Sequence, residues 1–369
     1  MIIKSKHLVG IVIVMATATT VWPATIDGFN QTNLVSNMPG TAAQTDPNLV
    51  NPWGIASSAS SPFWVSDNGT GVSTLYNTAG TPQSLIVTIP GVMGNASTPT
   101  GQIFNSSSSF NSDLFIFATE DGTVAGWRGA LGTTAETLLD NTSIGAVYKG
   151  LAIGTTAQGT YLYLADFHNN KITVVPGTGA PALAGAFVDP NLPAGYAPFN
   201  VENLNGQLFV TYAKQDASGH DDVAGAGNGF VDVYDLNGNF VSRFVSSTVL
   251  NSPWGLAIAP SGFGALGGDV LVGNFGDGLI NVFNPAGTYL GALATPGGTA
   301  LANDGLWGLQ FGNGGSGGLA NTLYLTAGLN NEQDGLFAQI SATPEPGAAW
   351  LLAIGLAGLL GCKRLQKTR

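Results

Sequence analysis

Short apolar runs, each bounded by Gly, Asn, Asp, Ser or Thr, follow one another along most of the chain. Strand-favouring and turn-favouring residues in alternation predict β-strands, and stretches rich in Glu, Lys and Arg that would favour helices are absent. One run returns: "PWGIA" at 52–56 is repeated as "PWGLA" at 253–257 and as "LWGLQ" at 306–310. Weaker copies stand at 100–104, 148–153 and 198–204. Six such openings, about fifty residues apart, indicate the blades of a β-propeller.

Each opening is followed by further strand-like runs, for example "LYLADFHNN" (162–170), "KITVVPG" (171–177) and, as the fourth of the third unit, "GAFV" (185–188). The sixth unit lacks a fourth run, while "NQTNLVSN" at 30–37 precedes the first opening. Because an unclosed ring leaves sheet edges unpaired, we expect this N-terminal strand to complete the last blade. The sequence therefore predicts an all-β protein, a six-bladed β-propeller of four-stranded antiparallel blades over residues 27–341. A pair of β-sandwiches would not repeat the Trp-Gly opening, and a β-helix would repeat at half this period or less.

The beginning of the chain has the layout of a secretory signal. Lys4 and Lys6 precede an apolar stretch from Leu8 to Ala16, and Ala16-Thr17-Ala18 supplies the small residues that a signal peptidase accepts. We predict a signal peptide over residues 1–18, extending to about residue 24 at most. The stretch is too short to serve as a membrane anchor.

The last residues have a different layout, "PEPGAAWLLAIGLAGLLGCKR" at 344–364. An apolar run at 347–362 is followed by cations, which stay on the cytoplasmic side of a membrane. A Pro-Glu-Pro triplet, an apolar run long enough to enter a membrane and a basic C-terminal end follow one another in this order. The order resembles the PEP-CTERM sorting signal of Gram-negative bacteria, in which a membrane exosortase recognises the triplet. The resemblance implies that residues 343–369 are a sorting tail with Pro344, Glu345 and Pro346 as its motif. It also implies an inner-membrane anchored precursor, and release of the body to the cell surface or extracellular matrix.

The repeats themselves carry a second resemblance. The succession of "LYLAD", a polar turn and "KITVV" resembles the NHL-repeat class of propeller. "QTNLVSNMPGTAAQTDPNLVNPWGIA", "FWVSDNGTG" and "GHDDVAGAGNGFVDVYD" are similar to a family of exported bacterial propellers that often carry PEP-CTERM tails. This likeness spans residues 29–341. It implies a propeller fold and an extracellular location, but it implies no mechanism.

Charge narrows the possible partners. All 22 acidic residues but only five of the 11 basic residues lie between Asp27 and Glu345, so the exported body has a net charge of −17. Such a surface repels nucleic acid and anionic lipid, and it suits calcium or cationic groups. The single cysteine, Cys362, lies in the predicted tail, so we expect no disulfide in the body.

In a propeller, the turn leading into the innermost strand and the turn between the second and third strands share one face. Polar residues in these turns should therefore gather at one mouth: Asp46, Asn51, Asp67, Asn68, Glu120, Asp121, Asp166, His168, Asn169, Asp216, Asn274, Asp277, Asp304, Asn331 and Glu332. The carboxylates that could bind Ca²⁺ there are Asp67, Glu120, Asp121, Asp277 and Asp304. Asp and Asn in tight turns also hydrogen-bond their own backbone, and no loop has the EF-hand pattern. Both interpretations remain open.

Other catalytic chemistry has little support in the sequence. The body has no cysteine and no Gly-x-Ser-x-Gly motif, and its two histidines are too few for a three-histidine zinc centre. Trp53, Trp254 and Trp307 recur at one repeat position, which favours packing between blades over stacking on a sugar.

One segment interrupts the repeat. Between the second and third strands of the fourth unit, residues 213–229 form a long loop where other units use only a few residues. Long loops on a rigid scaffold often carry function, although some are tolerated insertions. We expect this loop to form a wall of the mouth beside the preceding unit. The candidate ligand-binding residues are Asp166, His168, Lys214, Asp216, His220, Asp221 and Asp222.

Two functional hypotheses follow. The first is a surface or matrix binding protein, processed by an exosortase, with an exopolysaccharide or a surface protein as ligand. The second is a Ca²⁺-dependent propeller hydrolase or lactonase with its site at the channel mouth.

Overall fold

The fold is a ring of six antiparallel sheets, as the sequence predicts. A computed structural model describes residues 24–343, so the predicted signal peptide and the predicted sorting tail lie outside the described residues. Within 24–343, no helix is long and apolar enough to cross a membrane. Each innermost strand packs beside the innermost strand of the next blade, and the sixth packs beside the first.

The strands are assigned to blades in chain order. Before the first blade come β1 (Thr25–Ile26), β2 (Phe29–Ser36) and β3 (Gln44–Thr45). Blade 1 contains β4 (Pro52–Ala56), β5 (Phe63–Asp67), β6 (Val72–Tyr76) and β7 (Val87–Thr88). Blade 2 contains β8 (Pro99–Phe104), β9 (Phe115–Thr119), β10 (Thr123–Trp127) and β11 (Glu136–Asp140). Blade 3 contains β12 (Tyr148–Thr156), β13 (Gly159–Asp166) and β14 (Lys171–Pro176).

Blade 4 contains β15 (Tyr196–Leu204), β16 (Gln207–Lys214), β17 (Gly229–Asp235) and β18 (Phe240–Val245). Blade 5 contains β19 (Pro253–Ile258), β20 (Val270–Asn274), β21 (Ile280–Phe283) and β22 (Tyr289–Leu293). Blade 6 contains β23 (Leu306–Phe311), β24 (Thr322–Gly328) and β25 (Asp334–Ala342), and a single helical turn, α1 (Leu329–Glu332), precedes β25. Short 3₁₀ turns cover Val92–Gly94, Phe110–Ser112, Gly129–Leu131 and Thr142–Ile144.

The N-terminal strand closes the ring, which confirms the predicted closure. Strand β2 runs antiparallel to β25, from the pair Phe29 and Ala342 to the pair Ser36 and Leu336. Strand β1 adds to the neighbouring sheet, where it pairs with β22 in parallel. The residues that precede blade 1 therefore hold blades 5 and 6 together.

Blade 3 differs from the prediction because "GAFV" at 185–188 forms no strand. The Gly185 and Phe187 amides donate to the carbonyls of Asn237 and Gly238 in blade 4, at 3.1 Å each. The Phe187 ring packs between Tyr163 of blade 3 and Tyr234 of blade 4, with centroid distances of 5.7 and 5.5 Å. The segment therefore covers the seam between two blades and leaves blade 3 with three strands.

The Trp-Gly openings build the centre of the ring. A Cβ atom on Gly54 would lie 2.6 Å from the Thr100 carbonyl oxygen of the next blade, so only glycine permits this approach of neighbouring strands. The rings of Trp53 and Trp307 stack at 3.5 Å, and Trp254 meets both edge-on. Because these rings are at most 2% exposed, they are packing residues, and they close the channel.

Candidate functional site at the upper mouth

We call the end of the axis at which the innermost strands begin the upper mouth, and the other end the lower mouth. The tryptophans of the repeated opening lie just inside the upper mouth. In the six blades this repeat position holds Trp53, Thr100, Lys149, Phe199, Trp254 and Trp307. A lysine thus replaces the aromatic residue in blade 3, and it is the one charged group in this central layer.

The Lys149 side chain is buried beneath the upper mouth, with 2% of its surface exposed. Its Nζ donates to the Glu120 carboxylate of blade 2, and to Asp221 Oδ1 of the blade 4 loop at 3.3 Å. It also lies 5.3 Å from the centroid of the Trp53 ring. Burial acts to lower the pKa of this ammonium, but Glu120 and then Asp221 outweigh it and raise the pKa. The ammonium therefore remains protonated, and it joins three blades.

A chain of hydrogen bonds extends from this ammonium around the mouth. Glu120 Oε2 accepts from Asn68 Nδ2 at 2.8 Å, and Asn68 Oδ1 accepts from Asn51 Nδ2 at 3.3 Å. Asn51 Oδ1 in turn accepts from Trp307 Nε1 at 3.1 Å. On the other side, Asp221 Oδ1 lies 2.8 Å from His220 Nδ1. The network therefore links the aromatic layer to a histidine at the solvent edge.

Carboxyl groups outnumber cations at this mouth. Glu332 lies on α1, and burial, followed by the charge of Glu120, raises its pKa to about 7. Burial also raises the pKa of Asp222, whose Oδ2 is buried and has no hydrogen-bond partner among the described residues. With Glu120 and Asp221, four carboxyl groups surround one lysine. The mouth therefore has the charge and the free polar atoms to accept a cationic group.

The backbone at the upper mouth is strained. Asn51 and Ser252, which lead into β4 and β19, both have φ of 46°. Asn330, Asn331 and Glu332 are also left-handed, with φ of 53°, 53° and 64°. Asn adopts this region more readily than most residues, whereas Ser252 and Glu332 are less common there, and such conformations occur often at functional sites.

The blade 4 loop lies across the mouth, between blades 3 and 5. Gln215 Nε2 donates to the Phe167 carbonyl of blade 3, and the Gly225 amide donates to Asn251 Oδ1 beside blade 5, both at 2.6 Å. Asp216 accepts from the backbone amides of Ser218 and His220 at 3.1 and 3.0 Å, so it shapes the loop. Of the predicted ligand-binding residues in this loop, Asp221 and His220 enter the network, Asp222 lies beside it, and Lys214 is exposed.

The two predicted residues of blade 3 have different positions. Asp166 is fully buried and accepts from Asn169 Nδ2 within its own turn at 3.1 Å, as the turn interpretation expects. His168 is exposed, and a Cβ atom on Gly219 of the blade 4 loop would lie 3.3 Å from its Nδ1. His168 therefore contacts the loop, whereas Asp166 supports the turn from inside.

The predicted metal ligands are not brought together. Asp67 is buried and accepts from Thr74 Oγ1 at 2.7 Å, and Asp121 accepts from Ser97 Oγ at 2.8 Å. Asp277 accepts from Asn274 Nδ2 at 3.1 Å, and Asp304 is exposed. Among the described residues, the one group whose ligand atoms lie within 4.8 Å of one another is Glu120, His220 and Asp221.

This group does not match the needs of calcium. Ca²⁺ takes six to eight oxygen ligands, whereas the group offers two carboxylates and an imidazole. The Lys149 ammonium already contacts both carboxylates, so it stands where a metal ion would neutralise them. These residues therefore fit an internal ammonium better than Ca²⁺.

Two charged residues on the axis were not singled out from the sequence, Lys149 at the upper mouth and Glu202 at the lower mouth. An alignment of the six openings identifies both residues, because Lys149 stands at the tryptophan position and Glu202 stands where three other blades have alanine.

No family model matches the chain. The protein of Acanthamoeba polyphaga mimivirus called "Uncharacterized protein R648" is 35% identical over 329 residues, 83% of this chain and 78% of that protein. A second mimivirus protein, "Uncharacterized protein L690", is 34% identical over 292 residues, 75% of this chain and 77% of that protein.

Solved structures share the fold at low sequence identity. A streptogramin B lyase structure has a TM-score of 0.51 at 11% identity, covering 86% of this chain and 98% of that chain. A protein of unknown function from Bacteroides thetaiotaomicron has a TM-score of 0.54 at 11% identity, covering 85% of this chain and 76% of that chain. The two mimivirus proteins are more similar in sequence, at 34–35% identity over at least three quarters of this chain, and the chain belongs to the family that they represent.

Proposed function

We propose that this protein is an exported binding protein of the cell surface or extracellular matrix, and that its upper mouth recognises a positively charged ligand. The observation that carries the proposal is the group of four carboxyls, Glu120, Asp221, Asp222 and Glu332, around the single ammonium of Lys149. An incoming cation would relieve their mutual repulsion. The strained backbone at the same mouth supports this assignment.

The ligand classes that fit are a polysaccharide with free amino groups and a surface protein that presents Lys or Arg. The Glu120 side chain is 12% exposed and bound to Lys149, so the ligand would first meet Asp221 and then the half-buried Asp222 beside it. Asp221 is accessible, with 69% of its side chain exposed. The blade 4 loop would form one wall of the binding surface.

The test compares the protein with the double variant Asp221→Asn, Asp222→Asn. Binding of a glucosamine hexamer and of an oligolysine peptide is measured by calorimetry at constant ionic strength. We expect the preferred probe to bind the double variant about tenfold more weakly, because two carboxylates that face it are lost.

Two controls keep this experiment specific. An N-acetylglucosamine hexamer has the same sugar ring without the charge, and we expect it to bind weakly to both proteins. The variant Asp140→Asn, Asp269→Asn loses the same net charge away from the mouth and should bind as the unmodified protein does. Equal affinity of the mouth variant and the unmodified protein would place the site elsewhere on the ring.

A Ca²⁺-dependent hydrolase is the second candidate. Glu120, His220 and Asp221 bring three ligand atoms within 4.8 Å of one another, so a calcium ion would have to displace Lys149 and take further oxygen ligands. His220 Nδ1 is held by Asp221, which would leave Nε2 free to act as a base. Metal analysis of the purified body and melting curves with calcium or with a chelator distinguish the two candidates. A bound equivalent of calcium, and a melting temperature that falls with chelator, would favour the hydrolase.

Export and sorting are part of the proposal. The predicted signal peptide and the predicted PEP-CTERM tail would make an exosortase the processing partner, and they would anchor the precursor transiently in the inner membrane. Intact-mass measurement from an exosortase-bearing host should show loss of residues up to about 18 and of the tail beyond Pro344, Glu345 and Pro346. A mature protein that retains Cys362 would overturn the sorting assignment.

A further inference from the structure

The lower mouth contains two adjoining cavities of about 410 and 320 Å³. They share Ile55, Glu202, Asn203 and Gln310, so they meet on the axis. The lining is mixed: polar groups of side chains and backbone alternate with the half-buried side chains of Ile55, Ile153 and Ile258. The closed aromatic layer lies a few residues earlier on the same strands, so this site is separate from the upper mouth.

Glu202 is the sole ionisable residue among the described residues that line either cavity. It lies on the innermost strand of blade 4, at the repeat position that holds Ala56, Ala152 and Ala257 in other blades. No cation or hydrogen-bond donor contributes to its titration, and burial raises its pKa to about 8. Glu202 is half-buried at the wall of both cavities, so a ligand that enters either cavity can reach its carboxyl group.

The neighbouring polar groups leave acceptors free. Asn203 Nδ2 donates to the Ile153 carbonyl at 2.8 Å, and Asn203 Oδ1 accepts from the Gly206 amide at 3.0 Å. Gln310 Nε2 donates to Ser57 Oγ at 2.7 Å, whereas no described donor reaches Gln310 Oε1. The two Glu202 oxygens and Gln310 Oε1 therefore remain for a ligand that donates hydrogen bonds.

We propose that the lower mouth binds a primary amine with a short hydrocarbon chain, its ammonium on Glu202 and Gln310 and its chain against the half-buried side chains of Ile55, Ile153 and Ile258. An ammonium supplies the donors that these oxygens lack. Contact of the methylene groups with these three isoleucines favours an alkylamine over an inorganic cation.

Binding of such a ligand displaces a proton. Near pH 7 the Glu202 carboxyl holds its proton because its pKa is about 8. The arriving ammonium keeps its own proton, and Glu202 releases one to the solvent as it becomes a carboxylate. Affinity should therefore rise with pH through about 8 and fall again as the amine loses its charge above about 10.

The test is calorimetric titration with butylammonium chloride, with sodium chloride adjusted to hold the ionic strength constant. Titrations at pH 7 in two buffers of different ionisation enthalpy measure proton release. We expect one saturable site that releases about one proton per amine. We also expect at least tenfold tighter binding than for 1-butanol, which has the same chain without the charge.

Three variants make the result specific. Glu202→Gln is isosteric with the protonated acid and should fold, so we expect it to lose both the binding and the proton release. The titrations of the protein and of Glu202→Gln are made in the Asp221→Asn, Asp222→Asn background, so that the upper mouth does not contribute to amine binding. In the same background, Asp269→Asn removes an acid elsewhere on the lower face and should bind butylammonium unchanged. Equal binding by Glu202→Gln, or no saturable site between pH 6 and 10, would overturn the proposal.

Discussion

At the scale of single residues, the upper mouth is built around one position at which the sequence of blade 3 differs from the repeated Trp-Gly opening. Lys149 has the backbone position of Trp53, Trp254 and Trp307, but it brings a charge into the layer that they fill. Its ammonium neutralises part of an acidic mouth, and through Asp221 it also fixes the blade 4 loop. The lysine at this repeat position therefore contributes both to the charge of the upper mouth and to the position of the loop that forms its wall.

We predict that Lys149→Met lowers the free energy of unfolding by about 3–5 kcal/mol, because Glu120 would be left buried without its cation. Urea unfolding followed by fluorescence measures the loss. Adding Glu120→Gln to this variant should restore much of the stability.

The matched control is Lys171→Met. The Lys171 side chain is 49% exposed and its Nζ lies 4.0 Å from Asp166, so its loss should cost less than about 1 kcal/mol. If Lys149→Met and Lys171→Met lowered the free energy of unfolding equally, the buried ion pair would stabilise the fold no more than the exposed one.

The contacts of the mouth could be predicted only in part from the sequence. The turn positions and the long loop pointed to Asp221 and His220, because propeller geometry places those turns on one face. The roles of Asp166 and Asp67 inside their own turns depend on side-chain directions that a repeat pattern does not specify. Which carboxylate meets Lys149 depends on how three blades are placed around the axis.

At the scale of elements, ring closure depends on a strand far in sequence from its partner. The absence of a fourth run in the last unit and the spare run near the N-terminus were sufficient to predict the pairing of β2 with β25. The outer strand of blade 3 was predicted wrongly from its apolar pattern. Phe187, with φ of 51°, packs at the seam with blade 4, and an apolar pattern alone does not identify that partner.

Leu34 provides a test of closure. It lies on β2 and is 5% exposed, packed in the same cluster as Phe337 of β25. We expect Leu34→Ala to lower the free energy of unfolding by about 2–5 kcal/mol, the usual cost of truncating a buried leucine.

Leu290→Ala is the control, because Leu290 is also on an outer strand, β22, but is 40% exposed. It should change stability by less than about 1 kcal/mol. If Leu34→Ala were equally mild, β2 would not be closing the ring in solution.

At the scale of the whole molecule, several carboxyl groups are buried with too few cations. The pKa values of Glu202 and Glu332 are raised to about 8 and about 7, and those of Asp222 and Asp67 are also raised, all mainly by burial. Carboxyl groups in an unfolded chain titrate near pH 4. Between these values the folded protein holds protons that the unfolded chain has released.

We therefore predict that stability falls as the pH rises from about 5 to 8, by up to about 1.4 kcal/mol per pH unit for each proton retained. Differential scanning calorimetry at constant ionic strength measures the melting temperature across this range. In Glu202→Gln the decline should be shallower, since one of the groups no longer titrates. A melting temperature that is level from pH 5 to 8 would contradict this account.

The pairing of β2 with β25 also determines how the disc would face an anchoring surface. The Thr343 amide donates to the Gly28 carbonyl at 2.7 Å, so the chain enters and leaves the ring side by side, on the face of the lower mouth. If the precursor is tethered through the residues after Thr343, that face turns toward the membrane and the acidic upper mouth turns outward. The two proposed sites would then sample different surroundings, the matrix on one side and the narrow space above the lipid on the other.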